Sequence, residues 1–389
     1  MAGGGLPPIS TCAMAVRETN VRGGGQSVAG RMRVLITGGA GFVGAYLARG
    51  FREQLAAEVV AFDNLRRRGS ELNLPAFRRL GIEFVHGDVR VASDMEELPG
   101  DFDLFIDAAA EPSVSSGLSG SPRYVLETDL GGTLNSLEFA RRRGSSFLLL
   151  STSRVYSIPA LKSIRLTEMD TRYAIADEQS IAGIGKPGIT EEFPVDEPRS
   201  FYGAGKLASE MLVQEYVASY GLMSIINRCG VIAGPGQFGK SDQGVFTMWV
   251  LYHYFRKPLR YTGFGGQGKQ VRDLLHPADL FALIQKQLAV ISDHSGEVFN
   301  VGGGAAISTS LRELTELCRE RLGEVPISGV PETSWVDVPL YISDCAKARN
   351  AFGWEPARSP SQIVADIIEW IRHNETALSE LLFSAPGGE

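Results

Sequence analysis

Short unbroken apolar runs alternate with stretches of helical periodicity from Met32 to about residue 150. The runs are Met32–Ile36, Glu58–Phe62, Ile82–Val85, Leu104–Ala110 and Phe147–Leu150. Strands that are apolar throughout, rather than alternating, predict a parallel sheet covered by helices on both faces. Helices are expected over Pro122–Arg143 and Ser200–Tyr220, with a further strand over Met223–Cys229. Ile158–Pro198 breaks the rhythm, being polar and weakly periodic. A loop of that length inside a domain is usually functional or disordered, and its place between two candidate catalytic segments makes it read as a substrate-side insertion or lid. From Gly234 the pattern is mixed, with helices near Gly244–Phe255, Pro277–Ile291 and Ser310–Leu322 and a strand over Glu297–Val301. A last helix, Ser359–Asn374, collects Ile363, Ile367, Ile368 and Ile371 on one face.

The first strand runs directly into a turn, Gly38-Gly39-Ala40-Gly41-Phe42-Val43-Gly44. Gly38 permits the turn, Gly41 lets backbone N–H groups approach a pyrophosphate, and Gly44 lets the next helix pack on the strand. The N–H groups and dipole of that helix, starting near Phe42 and Val43, favour phosphate. The second strand ends at Asp63, roughly where an acceptor for a ribose 2′-hydroxyl belongs, and such a carboxylate selects NAD over NADP. Asn64 follows it. In the basic triplet after Leu65, Arg67 is either a solvated loop residue or a grip on an adenosine phosphate. Asp88-Val89 closes the third strand, as an adenine contact or a plain turn. Ala108-Ala109-Ala110 ends the fourth, where small side chains let a flat cofactor lie against the backbone or a helix pack tightly. The fold expected is an α/β Rossmann domain, a doubly wound parallel sheet over 32–233 with 158–198 inserted. A smaller mixed α/β substrate lobe over 234–389 returns segments to the sheet.

The second informative stretch is Phe201-Tyr202-Gly203-Ala204-Gly205-Lys206. On a helix Tyr202 and Lys206 share a face. An ammonium and an oxidised nicotinamide beside a phenol lower its pKa from about 10 toward working pH. That tyrosine then takes a proton from a sugar hydroxyl while hydride leaves. Such a pair is usually surface decoration, but downstream of a strand–glycine–helix unit it becomes a candidate acid–base centre. Thr152 and Ser153, at a strand end, offer hydroxyls that orient the reacting oxygen or merely cap a turn.

Composition narrows the partners. The chain of 389 residues is 44% hydrophobic and 21% charged, ordinary for a globular protein. Its net charge of −7 gives no electrostatic reason to bind nucleic acid or an anionic membrane, and no apolar run reaches a membrane span. Cys12, Cys229, Cys318 and Cys345 lack metal-ligand spacing. Cys229 and Cys318 read as buried thiols, which fits a reducing cytoplasm. Residues 1–31, with two GGG runs and no sustained apolar pattern, read as a disordered lead-in, and Met32 is a candidate start.

Together these pieces resemble the extended short-chain dehydrogenase/reductase family, the NAD-dependent nucleotide-sugar epimerases and dehydratases, over about Met32–Asn374. The resemblance implies Gly38, Gly41 and Gly44 at the pyrophosphate, Asp63 and Asn64 at the ribose, and Asp88-Val89 at the adenine. It implies a catalytic set of Thr152, Tyr202 and Lys206. Arg272, opening the R-D-x-x-H-x-x-D element Arg272–Asp279, is implied at the substrate diphosphate. Further substrate contacts are expected from Ser113, Ser153, Arg172, Gln237 and Gln243, and a homodimer through the helices Pro122–Arg143 and Ser200–Tyr220. The 4,6-dehydratases carry Asp-Glu directly after the catalytic threonine, where this chain has Ser153-Arg154, so the resemblance implies epimerisation. Phe62–Leu74, Thr171–Tyr173, Gly188–Glu191 and the Gln237–Gly244 and Gly268–Asp273 stretches look like the CDP-paratose 2-epimerases (CDP-tyvelose epimerases), which implies inversion at C2 of a CDP-deoxyhexose. The alternatives are a C4 epimerase, a keto-sugar reductase and a non-catalytic NAD-binding scaffold. The family pattern also differs here at Phe201 for proline, Asp129 for asparagine, Asp107-Ala108-Ala109 for His-Leu-Ala, and Ser334 for arginine.

Overall fold

Seven apolar strands build the central layer: β1 (Arg33–Thr37), β2 (Glu58–Asp63), β3 (Glu83–His86), β4 (Leu104–Asp107), β5 (Ser146–Thr152), β6 (Ser224–Cys229) and β7 (Val298–Val301). The computed structural model describes residues 31–238 and 244–383. The expected lead-in, apart from Arg31, and Gln243 lie outside them. All seven strands are parallel, in the order β7-β6-β5-β4-β1-β2-β3. Leu35 sits between Val60 and Phe105, which fixes the register at the centre. Helices cover both faces, so every residue of β5 from Phe147 and of β6 is buried. The order reverses between β1 and β4, and in such sheets ligands bind at that switch point, beyond the strands' carboxyl ends.

Helix α1 (Phe42–Leu55) packs Gly44, Ala45, Leu47, Ala48 and Phe51 on one face of the sheet. The expected helix Pro122–Arg143 is interrupted. A turn Arg123–Leu126 widens into a π-turn at Glu127–Gly131 before α2 (Gly132–Arg143). Such bulges mark positions where a side chain is re-aimed, and here Asp129 turns inward with no exposure.

Helix α3 (Phe201–Tyr220) begins at Ser200, whose hydroxyl accepts from the Gly203 amide at 3.2 Å. Tyr202, Lys206 and Glu210, four residues apart, all face inward. Glu210 accepts from Ser151 Oγ of β5 and from Arg228 of β6, with Nη2 to Oε2 at 2.7 Å. The Ile158–Pro198 insertion is more ordered than its composition suggests. It holds a short helix, Ile158–Ser163, and two antiparallel pairs, Leu166–Glu168 with Tyr173–Ile175 and Ile184–Gly185 with Gly188–Ile189. Strands of two or three residues are too short to show a period of two. Val155, Tyr156, Ile158, Leu161, Ile164, Ile189 and Phe193 pack with Val336, Val338 and Tyr341, which seats the insertion on the chain's later part.

Beyond β6, Val271–Leu275 pairs with Val231–Ile232, Ser308–Ser310 and Leu340–Tyr341. Helices α4 (Val245–Tyr254), α5 (Leu311–Leu322) and α6 (Pro360–His373) bury a second core containing Trp249, Leu314, Ile367 and Ile371. Cys229 and Cys318 are buried free thiols. Among the described residues no helix is long and apolar enough to cross a membrane. The buried ion pair yields a direct test. Glu210→Ala leaves the Arg228 guanidinium buried without its carboxylate and is expected to cost about 3–5 kcal/mol in urea unfolding, whereas replacing both residues by methionine recovers much of that loss.

Candidate active site

A cavity of about 1500 Å³ lies at the carboxyl ends of the strands, reaching from the glycine turn to the second core. Pockets for one ligand hold roughly 300–1,000 Å³, so this one has room for a dinucleotide and a second large ligand.

At the cofactor end the backbone leaves no room for side chains. Gly38 has φ +61°, and a Cβ there would stand 2.7 Å from the Ala108 carbonyl oxygen. A Cβ on Gly44 would stand 2.1 Å from the Gly38 oxygen. Gly41 caps α1 without a side-chain bond, the first turn carries no acid, and Phe42, Val43 and Gly44 line the cavity. Their N–H groups therefore face an anion site. Asp63 accepts from the amides of Ala40 at 3.1 Å and Leu65 at 2.8 Å. Those bonds leave acceptor capacity on its oxygens, and burial raises its pKa. Asn64, Arg67, Val89 and Ala108–Ala110 also line the cavity. The cradle fits a dinucleotide.

Two residues here behave differently from expectation. The Asp88 carboxylate does not line the cavity. It is taken by Arg90, at 2.7 and 3.0 Å, and by Asn64 Nδ2 at 2.9 Å, and the Arg90 bonds hold its pKa well below the usual range. Arg67 donates to the Phe238 carbonyl at 2.9 Å, which ties the loop after β2 to the far wall.

Tyr202 and Thr152 meet at the floor. The Thr152 hydroxyl accepts from the Arg154 amide at 3.2 Å and stands near enough to the Tyr202 phenol to oppose the rise in its pKa. Ser153 and Arg154 line the cavity beside them. Lys206 lies one turn deeper, 1% exposed and off the cavity surface, with Nζ 3.5 Å from the Ala109 oxygen. The expected drop in the Tyr202 pKa is not produced by the protein's own groups. Burial pushes the phenol up and Asp129 adds to that, while Thr152 and Arg154 oppose them. In the sequence Asp129 stands out only as a departure from the family pattern, because nothing local announces the π-turn that aims it at this site. Its Oδ1 accepts from the Glu111 amide at 2.8 Å, and its Oδ2 is buried without a partner. Burial pushes its pKa up to about 8, against the pull of Lys206 and with Glu111 and Asp107 adding to the rise.

Farther along, Arg272 lines the wall and donates to the carbonyls of Val271 at 2.7 Å and Val338 at 2.8 Å. Burial lowers its pKa to about 10. Gln237 lines the cavity, but its amide is spent on the Ile232 oxygen and the Thr247 hydroxyl. Arg172 and Ser113 are placed elsewhere. Arg172 donates to Ser308 at 2.5 Å and pairs with Glu313 at 3.5 Å, because its hairpin docks on α5. Ser113 turns inward and accepts from the Ser115 amide at 3.2 Å, leaving Ser115 on the cavity wall.

Residues 34–302 match the model of the NAD dependent epimerase/dehydratase family. The chain belongs to this family. It is an enzyme of the NAD-dependent nucleotide-sugar epimerases and dehydratases, and NAD is its cofactor. The chain is 32% identical over 351 residues to the CDP-paratose 2-epimerase of Salmonella typhi, covering 87% of this chain and 99% of that one. It is 29% identical to the dTDP-glucose 4,6-dehydratase of Streptomyces niveus, covering 88% and 94%. The dTDP-glucose 4,6-dehydratase of Streptomyces venezuelae, solved with NAD bound, superposes with TM-score 0.72 at 26% identity over 90% of this chain and 100% of that one.

The buried acid makes stability depend on pH. Between about pH 4 and pH 8 the folded epimerase/dehydratase chain keeps a proton on Asp129 that the unfolded chain releases, so stability falls as pH rises through that window. Asp129→Asn removes this loss. Its melting temperature relative to wild type is expected to be higher at pH 8.5 than at pH 5, by roughly 3 °C or more in calorimetry.

Proposed function

We propose that the enzyme inverts C2 of a CDP-linked deoxyhexose, by transient oxidation and re-reduction, as its relative's name describes. The observation that carries this is the turn after Thr152. It presents Ser153 and Arg154 to the cavity, where the dehydratase pattern puts the acid and base that expel water. The 32% identity to a CDP-paratose 2-epimerase over nearly that protein's full length supports the same reading.

When bound, NAD supplies the hydride acceptor and donor, and in its oxidised form a positive charge beside the phenol. Tyr202 takes the proton of the sugar hydroxyl and returns it after the keto-sugar has presented its other face. Thr152 orients that oxygen, since the Arg154 amide fixes its hydroxyl through one lone pair and leaves its hydrogen to donate. Lys206, buried beneath with Nζ 3.5 Å from the Ala109 oxygen, is placed to hold the nicotinamide ribose. The wall around Arg272 holds the nucleotide.

The purified protein, given CDP- and UDP-linked hexoses and deoxyhexoses without added NAD, is expected to invert C2 of a CDP-sugar in NMR, with no NADH accumulating. Tyr202→Phe should lower kcat by about 10²–10⁴-fold. Inversion at C4 would move the enzyme to another epimerase group. Steady NADH formation or loss of water would replace epimerisation by net oxidoreduction or dehydration.

A further inference from the structure

Two guanidinium groups meet the same three residues of the cavity wall. Arg154 Nη1 lies 3.5 Å from the Val336 oxygen, and Arg272 Nη2 lies 2.8 Å from the Val338 oxygen. Asp337 stands between them, 3.9 Å from Arg272. All three charged groups, with Ser334, line the cavity. Asp273 also acts on Arg272 but is buried behind the wall, so on the cavity surface, among the described residues, Asp337 alone faces two arginines and the wall presents a surplus of positive charge.

The two cations differ in how they are held. Arg272 is clamped by two short backbone bonds. Arg154 has five side-chain N–H donors and, among the described residues, one bond at the limit of hydrogen-bond length. A half-buried guanidinium with idle donors facing a cavity is suited to a planar, multidentate anion. The wall also lacks the arginine that the family pattern puts at Ser334, three residues before Asp337.

We propose that Arg154 binds the sugar-side phosphate of the substrate's diphosphate, supplying from the end of β5 the second cation that Ser334 does not. The inference rests on the reading of the substrate as a nucleoside diphosphate sugar. It gives the residue after Ser153 a role the dehydratases cannot share, because a carboxylate there would repel the phosphate. It also sets Arg154 between the phosphate and the Tyr202 phenol, so the anchor and the reacting centre belong to one turn.

Isothermal titration of the NAD-loaded full chain with CDP, UDP and CMP tests this without turnover. Arg154→Gln is expected to weaken CDP and UDP binding about 10-fold or more, to affect CMP much less, and to leave NAD retention and melting temperature near wild type. Arg154→Lys should recover part of the affinity, which separates lost charge from lost folding. Unchanged CDP affinity in Arg154→Gln would overturn the assignment. So would a loss confined to UDP-glucuronate and not seen with UDP-glucose, which would show that the arginine reads a sugar carboxylate. Wild type that retains NAD but binds neither CDP nor UDP would instead overturn the nucleotide-sugar reading itself.

Discussion

The Glu210–Arg228 pair is the contact on which the reacting centre depends. Its carboxylate and guanidinium are buried at 2% and 8% side-chain exposure, with bonds of 2.7–3.1 Å. Two charges removed from water are tolerable only when geometry is good and the remaining donors are occupied. Both conditions are met. Ser151 donates to Glu210, and Arg228 also reaches Tyr156 Oη at 3.3 Å and the Glu191 oxygen at 3.4 Å. Tyr156 Oη donates to Asn300 of β7 at 2.7 Å, and Asn300 donates in turn to the Ile189 oxygen. One polar network therefore locks α3 to β5, β6, β7 and the insertion. Any slip of α3 would break it, so Tyr202 and Thr152 stay in register.

Around that fixed centre the cavity is graded in polarity. At one end, amides at the start of α1 and the Asp63 carboxylate offer the positive and negative partners that a dinucleotide's phosphate and ribose require. In the middle, burial keeps the phenol of Tyr202 and the carboxyl of Asp129 from ionising easily. At the other end the arginines are in excess over Asp337. On the proposed reading, a nucleotide sugar lies across this gradient with its diphosphate on the cationic wall and its neutral ring over Tyr202.

Most of the framework was legible in the chain, because each signal was local. An apolar strand, three glycines at fixed spacing and an acid closing the next strand carry their geometry with them, since a turn and a helix start are decided by neighbouring residues. The Tyr202–Lys206 spacing likewise needs only a helix to put both on one face. Glu210, one turn further along the same face, carried no such signal, because a helical glutamate usually faces water. Its burial follows from Arg228, 18 residues away on a strand that only the sheet brings alongside.

What the sequence by itself determined was therefore the main elements and the local grouping of the candidate reacting residues. The tertiary structure alone decided who pairs with whom. Arg172 docks on Glu313, Asp88 is captured by Arg90, and Gln237 holds its own loop, because long polar side chains take whichever partner folding brings within reach. Asp129 faces inward through a π-turn that no short-range pattern encodes. Arg154 joins Arg272 and Asp337 across more than a hundred residues of chain. Periodicity and spacing report the backbone over a few turns, whereas burial and charge balance are properties of the packed whole.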